Sequence, residues 1–143
     1  MKLTINMPWE RDLSVNSYRF GKPSPKARGK WKKSRVRKPH VQAWHERAVW
    51  EIRLARQIEN CDKTGRTLRW DLIAEPILPL RIRIDYRWPD NRRRDCDNYH
   101  KVIQDAVKAA LGIDDRHFRI TDGQVMIDKE NPGFTVTITD KEG

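Results

Sequence analysis

The run from Leu78 to Trp88 constrains the fold most, because apolar and polar residues alternate along its whole length. A period of two puts successive side chains on opposite faces of a β-strand. One face of this strand is therefore expected to enter a core, and the other to present arginines to solvent or to a ligand. Pro89-Asp90-Asn91 follows directly and favours a turn. The sequence thus predicts one long strand that is buried on one side.

Two segments with apolar residues at helical spacing flank this strand. The first begins at Pro39 and runs to about Glu59. The second covers Tyr99–Ala110 and is followed by Gly112, which suits the left-handed position after a helix. One residue of the pair Asp97-Asn98 is expected to be its N-cap.

Shorter alternating segments predict the remaining strands. Residues 3–7 form one, and Gln124–Lys129 and Phe134–Thr139 form two more around a turn. The segment Arg116–Gly123 fits either a short helical turn or an extended strand. The order β, α, β, α, β, β predicts an α+β fold, a single compact domain over 1–143 with a mixed β-sheet and two main helices.

Residues 10–39 lack hydrophobic periodicity and are strongly basic. No acidic residue lies between Leu13 and His45, while ten lysines and arginines do. Glycines and prolines argue against regular structure, so we expect a flexible basic loop at about 20–39 that binds phosphates. A solvated tail is the alternative. The candidate contacts in this loop are Lys30, Lys32, Lys33 and Arg35. The connection 61–76 is also irregular, with a short element at 68–72.

Composition points to a polyanionic partner. The formal net charge is +10, and 35 % of the residues are charged. Nucleic acid is favoured over a generally soluble basic domain.

No apolar run is long enough to span a membrane, so a cytoplasmic protein is expected. Two cysteines and four histidines show no zinc-ligand spacing. The apolar inventory is thin for a monomer, and oligomerisation is one way to bury more surface.

Acidic residues nevertheless gather on either side of the second helix. Asp95 and Asp97 come directly before it, and Asp114 and Asp115 follow it. Hard cations such as Mg²⁺ take carboxylate oxygens as ligands and are commonly shared with substrate phosphates. Lys101 lies one helical turn after Asp97 and on the same face, where it can reach a phosphate oxygen or a metal-bound water.

Each of these features also has an ordinary interpretation. Asp97 can simply cap a helix, Asp114-Asp115 can be an exposed turn, and Arg92–Arg94 can be a solvated turn paired with nearby acids. Distance is a further difficulty, because a helix of about 14 residues spans about 20 Å. Asp115 can therefore join the other acids only if the chain turns back after Gly112 or if a second subunit supplies it.

The order of these motifs resembles the RusA family of Holliday-junction resolvases. The family pattern is a strand ending in Pro-Asp, a basic run, Asp-x-Asp-Asn, a lysine one turn into a helix, and Asp-Asp. It is matched by Trp88-Pro89-Asp90, Arg92-Arg93-Arg94, Asp95-Cys96-Asp97-Asn98, Lys101, Gln104-Asp105-Ala106 and Ile113-Asp114-Asp115. The opening and the last strand, Pro132–Ile138, also resemble the family.

The resemblance implies a homodimeric endodeoxyribonuclease that needs Mg²⁺ or Mn²⁺ and nicks four-way junctions, or other branched DNA, symmetrically. It implies Asp95, Asp97 and Asp115 as catalytic and metal-binding carboxylates, with Asp114 as a further candidate ligand and Lys101 as the functional lysine. The implied DNA contacts are Arg92, Arg93, Arg94 and Asn98. Two rival functions stay open: a non-catalytic DNA- or RNA-binding protein, and a related nuclease that acts on flaps or replication forks.

Overall fold

A four-stranded mixed sheet and two helices make up the fold. The computed structural model describes residues 1–15, 19–23, 33–61, 64 and 75–141, and for 19–23 and 33–36 the backbone alone. The strands are β1 (Lys2–Pro8), β2 (Arg19–Pro23), β3 (Lys33–Arg37), β4 (Leu80–Trp88), β5 (Phe118–Ile127) and β6 (Gly133–Thr139), and the helices are α1 (Pro39–Glu59) and α2 (His100–Leu111). The predicted α+β class, mixed sheet and two main helices are confirmed.

The strand predicted from alternation, β4, lies inside the sheet. The strand order of the sheet is β1-β6-β4-β5, and β4 runs antiparallel to β6 and parallel to β5. The apolar residues of β4 are all buried, and they join the core that α1 and α2 cover. Burial of one pleated face fixes the register, because a slip by one residue would bring the arginines into the core.

None of the described helices is long and apolar enough to cross a membrane.

The start of α2 differs from the prediction. Asp97 and Asn98 lie inside a 3₁₀ turn over Cys96–Tyr99, so the N-cap position falls on Tyr99, and no side chain caps the helix. The N-cap prediction for Asp97-Asn98 is therefore wrong. Tyr99 is buried against Trp9, and this packing takes precedence over the local capping preference. As a result, the Asp97 carboxylate is not used by the helix. Gly112 ends α2 with φ 68°, as predicted.

The basic segment is more regular than predicted. The backbones of β2 and β3 pair as an antiparallel hairpin, with Phe20 opposite Val36. The expectation of an irregular loop is wrong for these strands, since a two-stranded ladder is held by backbone groups and needs no long apolar alternation. Residues 24–32, and with them Lys30 and Lys32, lie outside the described residues, as does 68–72. The ambiguous Arg116–Gly123 segment holds the end of a 3₁₀ turn and the first part of β5.

Candidate active site

Two exposed carboxylates stand at the N-terminal end of α2. Asp95 is extended, with φ −94° and ψ 122°, and Asp97 lies in the 3₁₀ turn that follows. The turn is closed by the Asn98 N–H, which donates to the Asp95 carbonyl oxygen at 3.1 Å. Both residues are exposed. Their side chains make no hydrogen bond or ion pair with any residue that the structure describes. These two carboxylates are therefore available to an external ligand.

The basic run that precedes them is divided between two roles. Arg94 is only 12 % exposed, because its Nη1 contacts Asp90 Oδ1 at 2.7 Å and its guanidinium stacks on the rings of Trp9 and Trp88. This hydrogen bond from Arg94 holds the pKa of Asp90 at about 2. Arg92, in contrast, is 83 % exposed. Arg94 thus holds the turn in place, while Arg92 and the exposed Arg93 face solvent.

A polar network that sequence reasoning missed adjoins the two carboxylates. Asp122 Oδ1 accepts a hydrogen bond from the buried Tyr86 hydroxyl and lies 2.7 Å from His100 Nε2. The Tyr86 hydroxyl is also 3.3 Å from the Cys96 carbonyl oxygen, between Asp95 and Asp97 in sequence. Only tertiary structure joins these residues, because Asp122 is 36 residues from Tyr86 and 22 residues from His100 in sequence.

The surroundings of Cys96 are negatively charged. Burial raises the pKa of the Cys96 thiol, and the carboxylates of Asp122, Asp97 and Asp95 raise it further. A register shift in the β4–β5 pairing between Ile84 and Tyr86 lies beside Asp122. Irregularities of this kind frequently lie next to active sites, where they redirect a side chain. The thiol stays protonated, so Cys96 acts as a packed side chain and the charge at this end is carried by carboxylates.

Lys101 lies on the first turn of α2, at the same end of the helix as Asp95 and Asp97. Its Nζ is 2.9 Å from Asp105 Oδ1, one helical turn further on, and its side chain is 41 % exposed. A partly exposed ammonium that is held by a carboxylate can still reach a phosphate. Asn98 is half-buried, and its carbonyl oxygen accepts a hydrogen bond from Val15 N–H at 2.7 Å.

The other acidic pair lies at the far end of α2. Asp114 accepts a hydrogen bond from the Arg116 backbone N–H at 3.1 Å, which lowers the pKa of its carboxyl. Asp115 begins a 3₁₀ turn and is half-buried. The helix has 12 residues, so its ends are about 18 Å apart. Within the described part of the chain, no three His, Cys, Asp or Glu side chains are close enough to hold a metal ion.

The structure thus places Asp95, Asp97 and Lys101 at one end of α2 and leaves Asp114 and Asp115 at the other. Among the predicted DNA contacts, Lys33 and Arg35 belong to β3 and Arg92 faces solvent. The arrangement offers two unpaired carboxylates, a lysine and flanking cations, a set suited to a hydrated divalent cation and a phosphodiester.

The known proteins that match this sequence belong to the family that these motifs indicate. The family model of endodeoxyribonuclease RusA matches residues 21–139. The crossover junction endodeoxyribonuclease RusA of Escherichia coli (strain K12) is 31 % identical over 102 residues, which cover 71 % of this chain and 76 % of the relative. The enzyme of Enterobacteria phage 82 is also 31 % identical, and that of Shigella sonnei (strain Ss046) 29 %, both over the same shares of the two chains. The chain therefore belongs to the RusA family of endodeoxyribonucleases.

Proposed function

We propose that this protein is a homodimeric, divalent-metal-dependent endodeoxyribonuclease that resolves Holliday junctions by paired symmetric nicks. The observation that carries the proposal is the pair of exposed carboxylates, Asp95 and Asp97, which have no partner among the described residues although the net charge is +10. The named relatives are crossover junction endodeoxyribonucleases, which supports branched DNA as the substrate.

The donor set fits a hard cation. Carboxylate oxygens are preferred ligands of Mg²⁺, which keeps several waters and is bound through one or two carboxylates together with substrate phosphates. Asp95 and Asp97 are two residues apart and both exposed, so they are our candidate ligands for Mg²⁺, with Mn²⁺ as a substitute. A cation held there would polarise the phosphodiester and lower the pKa of a bound water.

The cations of the chain itself would orient the DNA. Lys101, at the same end of α2, is placed to offset the charge that develops on the phosphate. Arg92 and Arg93 are exposed beside the acids and would contact neighbouring phosphates. The basic hairpin β2–β3 would add contacts to the backbone of a DNA arm, with Lys33 and Arg35 as candidates. Arg94 would act indirectly, since it anchors the turn through Asp90.

A second subunit would complete the acidic set. In the described part of the chain, only one edge of β5 is paired, and its last residues Val125, Met126 and Ile127 are about half exposed. Antiparallel pairing of two β5 edges about a two-fold axis would bring the start of one strand toward the end of the other. The start of β5 closely follows Asp115, and its end pairs with the part of β4 that leads toward Asp95. In such a dimer, Asp115 would be the partner's contribution to each site.

Cleavage of synthetic DNA tests the proposal. We expect the wild-type protein to nick a four-way junction at paired symmetric positions with Mg²⁺ or Mn²⁺, and to leave linear duplex intact. Asp97→Asn is expected to abolish cleavage while junction binding persists, since the amide removes a ligand charge. Metal-dependent cleavage by purified Asp97→Asn would contradict the site assignment.

The same experiment separates the rival functions. Tight junction binding with no cleavage in either metal would favour a non-catalytic binding protein. Preferential cleavage of flap or fork DNA over the four-way junction would favour the related nuclease activity. In both of these outcomes the basic surface keeps its role, and only the chemistry or the preferred branch structure changes.

A further inference from the structure

A buried polar cluster lies where the basic hairpin meets the two helices. It consists of Arg37 at the end of β3, His45 on α1 and Asp105 on α2. The Asp105 side chain is 10 % exposed, and His45 is 8 % exposed. Arg37 Nε and His45 Nδ1 are buried and have no hydrogen-bond partner among the described residues. Burial, together with the positive charge of Arg37, lowers the pKa of His45, so its ring is neutral at pH 7. Incompletely satisfied buried groups are uncommon in proteins, and each calls for a reason.

The Asp105 carboxylate joins two elements of the DNA-binding surface. Its Oδ1 is 2.9 Å from Lys101 Nζ, and its Oδ2 is 3.5 Å from Arg37 Nη2. Arg37 also donates to Gln42 Oε1 on α1 at 3.1 Å. One carboxylate therefore connects the base of the hairpin to the lysine of the candidate site. Because this carboxylate is largely shielded from solvent, salt screens the contacts less than it screens an exposed ion pair.

We infer that Asp105 is a positioning residue for DNA cleavage, which fixes Lys101 and links its placement to the base of the basic hairpin through Arg37. This inference rests on the proposed function. A lysine has a flexible four-carbon stem, so a carboxylate one turn away narrows the positions that its ammonium samples. When Lys101 turns toward a phosphate, Arg37 keeps Asp105 from becoming an isolated buried charge, which would be unfavourable.

The chain offers a matched control in Asp12. Its carboxylate pairs with Lys38 Nζ at 3.4 Å and with His40 Nε2 at 3.0 Å, next to the same end of β3. Asp12 has a positive φ of 64°, a conformation that asparagine also tolerates well. None of its ion pairs involves α2. Asp12→Asn therefore removes an ion pair at the hairpin base without disturbing the link to Lys101.

The first test is a double-mutant cycle on junction cleavage. We expect Asp105→Asn to lower kcat about 10- to 100-fold, the scale at which small misplacements act, with KM within about threefold of the wild type. In a Lys101→Ala background, Asp105→Asn should have no further effect, because residues that act through one another are not additive. Asp105→Glu should recover part of kcat, and Asp12→Asn should leave it unchanged. Additive losses in the double variant would overturn the inference.

A second measurement does not depend on cleavage. Side-chain NMR signals of both Arg37 and Lys101 should shift in Asp105→Asn and stay in place in Asp12→Asn. Arg37→Gln leaves Asp105 in place and should still shift the Lys101 signal. This variant keeps the test valid if Asp105→Asn folds poorly. If the wild-type protein cuts no DNA, the proposed function fails while these spectra still decide whether the link exists. An unmoved Lys101 signal in Arg37→Gln and Asp105→Asn would refute it.

Discussion

The two ends of α2 carry the same residue type in different states. At the N-terminal end, Asp95 and Asp97 stand on a turn that aromatic packing holds in place, and their carboxylates have no partner in the described structure. At the C-terminal end, Asp114 is engaged with the backbone of Arg116, directly before Asp115. Residue type alone therefore does not identify a metal-binding acid. The difference lies in whether the fold already uses the carboxylate.

Charge distinguishes the two ends as well. Lys108 and Arg116 lower the pKa of Asp114, in addition to the larger effect of the backbone hydrogen bond. At the other end, Arg94 is paired with Asp90 instead of with Asp95 or Asp97. A cation brought to the N-terminal end would relieve the negative charge there. If Asp115 serves the same site, it comes either from another copy of the chain or from the same chain after a movement, because α2 holds the two ends about 18 Å apart.

Mixing two inactive variants tests most directly whether acids from the two ends of α2 act in one site. Neither Asp95→Asn nor Asp115→Asn should cleave junctions alone. In a heterodimer with shared sites, both substitutions fall in one site, and the other site is fully wild type. Mixing the two chains should therefore restore nicking of one strand, measured on a junction with labelled strands.

The control for this experiment is a mixture of Asp95→Asn with Asp97→Asn. Both residues belong to the same end of α2, so every site in that heterodimer keeps one defective carboxylate, and cleavage should stay absent. If the Asp95→Asn and Asp115→Asn mixture is also inactive although heterodimers form, each subunit supplies all of its own acids. The separation of the two ends would then have to be closed by a movement within one chain.

A second prediction compares the two adjacent acids after the helix. Asp115→Asn should lower the cleavage rate by more than about 100-fold. Even substitution of a residue that only hydrogen-bonds to a metal ligand commonly lowers metal affinity or activity by about 10- to 100-fold. Asp114→Asn should leave the rate within about threefold, because asparagine caps as well as aspartate does. Single-turnover cleavage rates measure both. The reverse ranking would assign the metal-binding role to Asp114.

Much of this fold could be predicted from periodicity, and the errors have physical causes. Alternation identified β4, and helical spacing identified α1 and α2, because burial of one face dominates these elements. The N-cap prediction for Asp97 was wrong because Tyr99 packs into the aromatic cluster, which no local rule anticipates. The hairpin β2–β3 was missed because its pairing is made by the backbone.

The candidate site was only partly predictable. The order of acids and lysine along the chain predicted Asp95, Asp97 and Lys101 as site residues, and the structure places all three at one end of α2. The rise of a helix was enough to expect that Asp115 lies far from them. The contacts of Asp122 with Tyr86 and His100 could not be predicted, since they join residues that are distant in sequence. Asp114 is used by a local backbone hydrogen bond from Arg116, two residues further on, whereas Asp97 is left unused because the tertiary packing of Tyr99 sets the start of α2.

A third prediction concerns the cations beside the N-terminal acids. Replacing Arg92 and Arg93 with alanine should weaken junction binding and lower the log–log salt slope by about 0.9 for each phosphate that is no longer neutralised. The matched control is Lys2→Ala with Lys141→Ala, since Lys2 and Lys141 lie toward the opposite end of the sheet from Trp88. The control should keep the wild-type slope. Equal slopes in the two double variants would mean that Arg92 and Arg93 do not touch the DNA.

The smallest expected effect tests how the turn before the N-terminal acids is held. The hydrogen bond from Arg94 lowers the pKa of Asp90 from 3.8 to about 2 in the folded protein. A carboxyl whose pKa is lowered by folding stabilises the fold above its unfolded pKa, and this stabilisation is lost as the pH falls through the folded value. Thermal midpoints of the wild type and Asp90→Asn should therefore differ at pH 7 and converge between about pH 4 and pH 2. A constant difference down to pH 2 would show that the contribution of Asp90 does not depend on its charge. No difference at any pH would show that Arg94 holds the turn through its tryptophan contacts alone, and the N-terminal end of α2 would then depend on packing more than on charge.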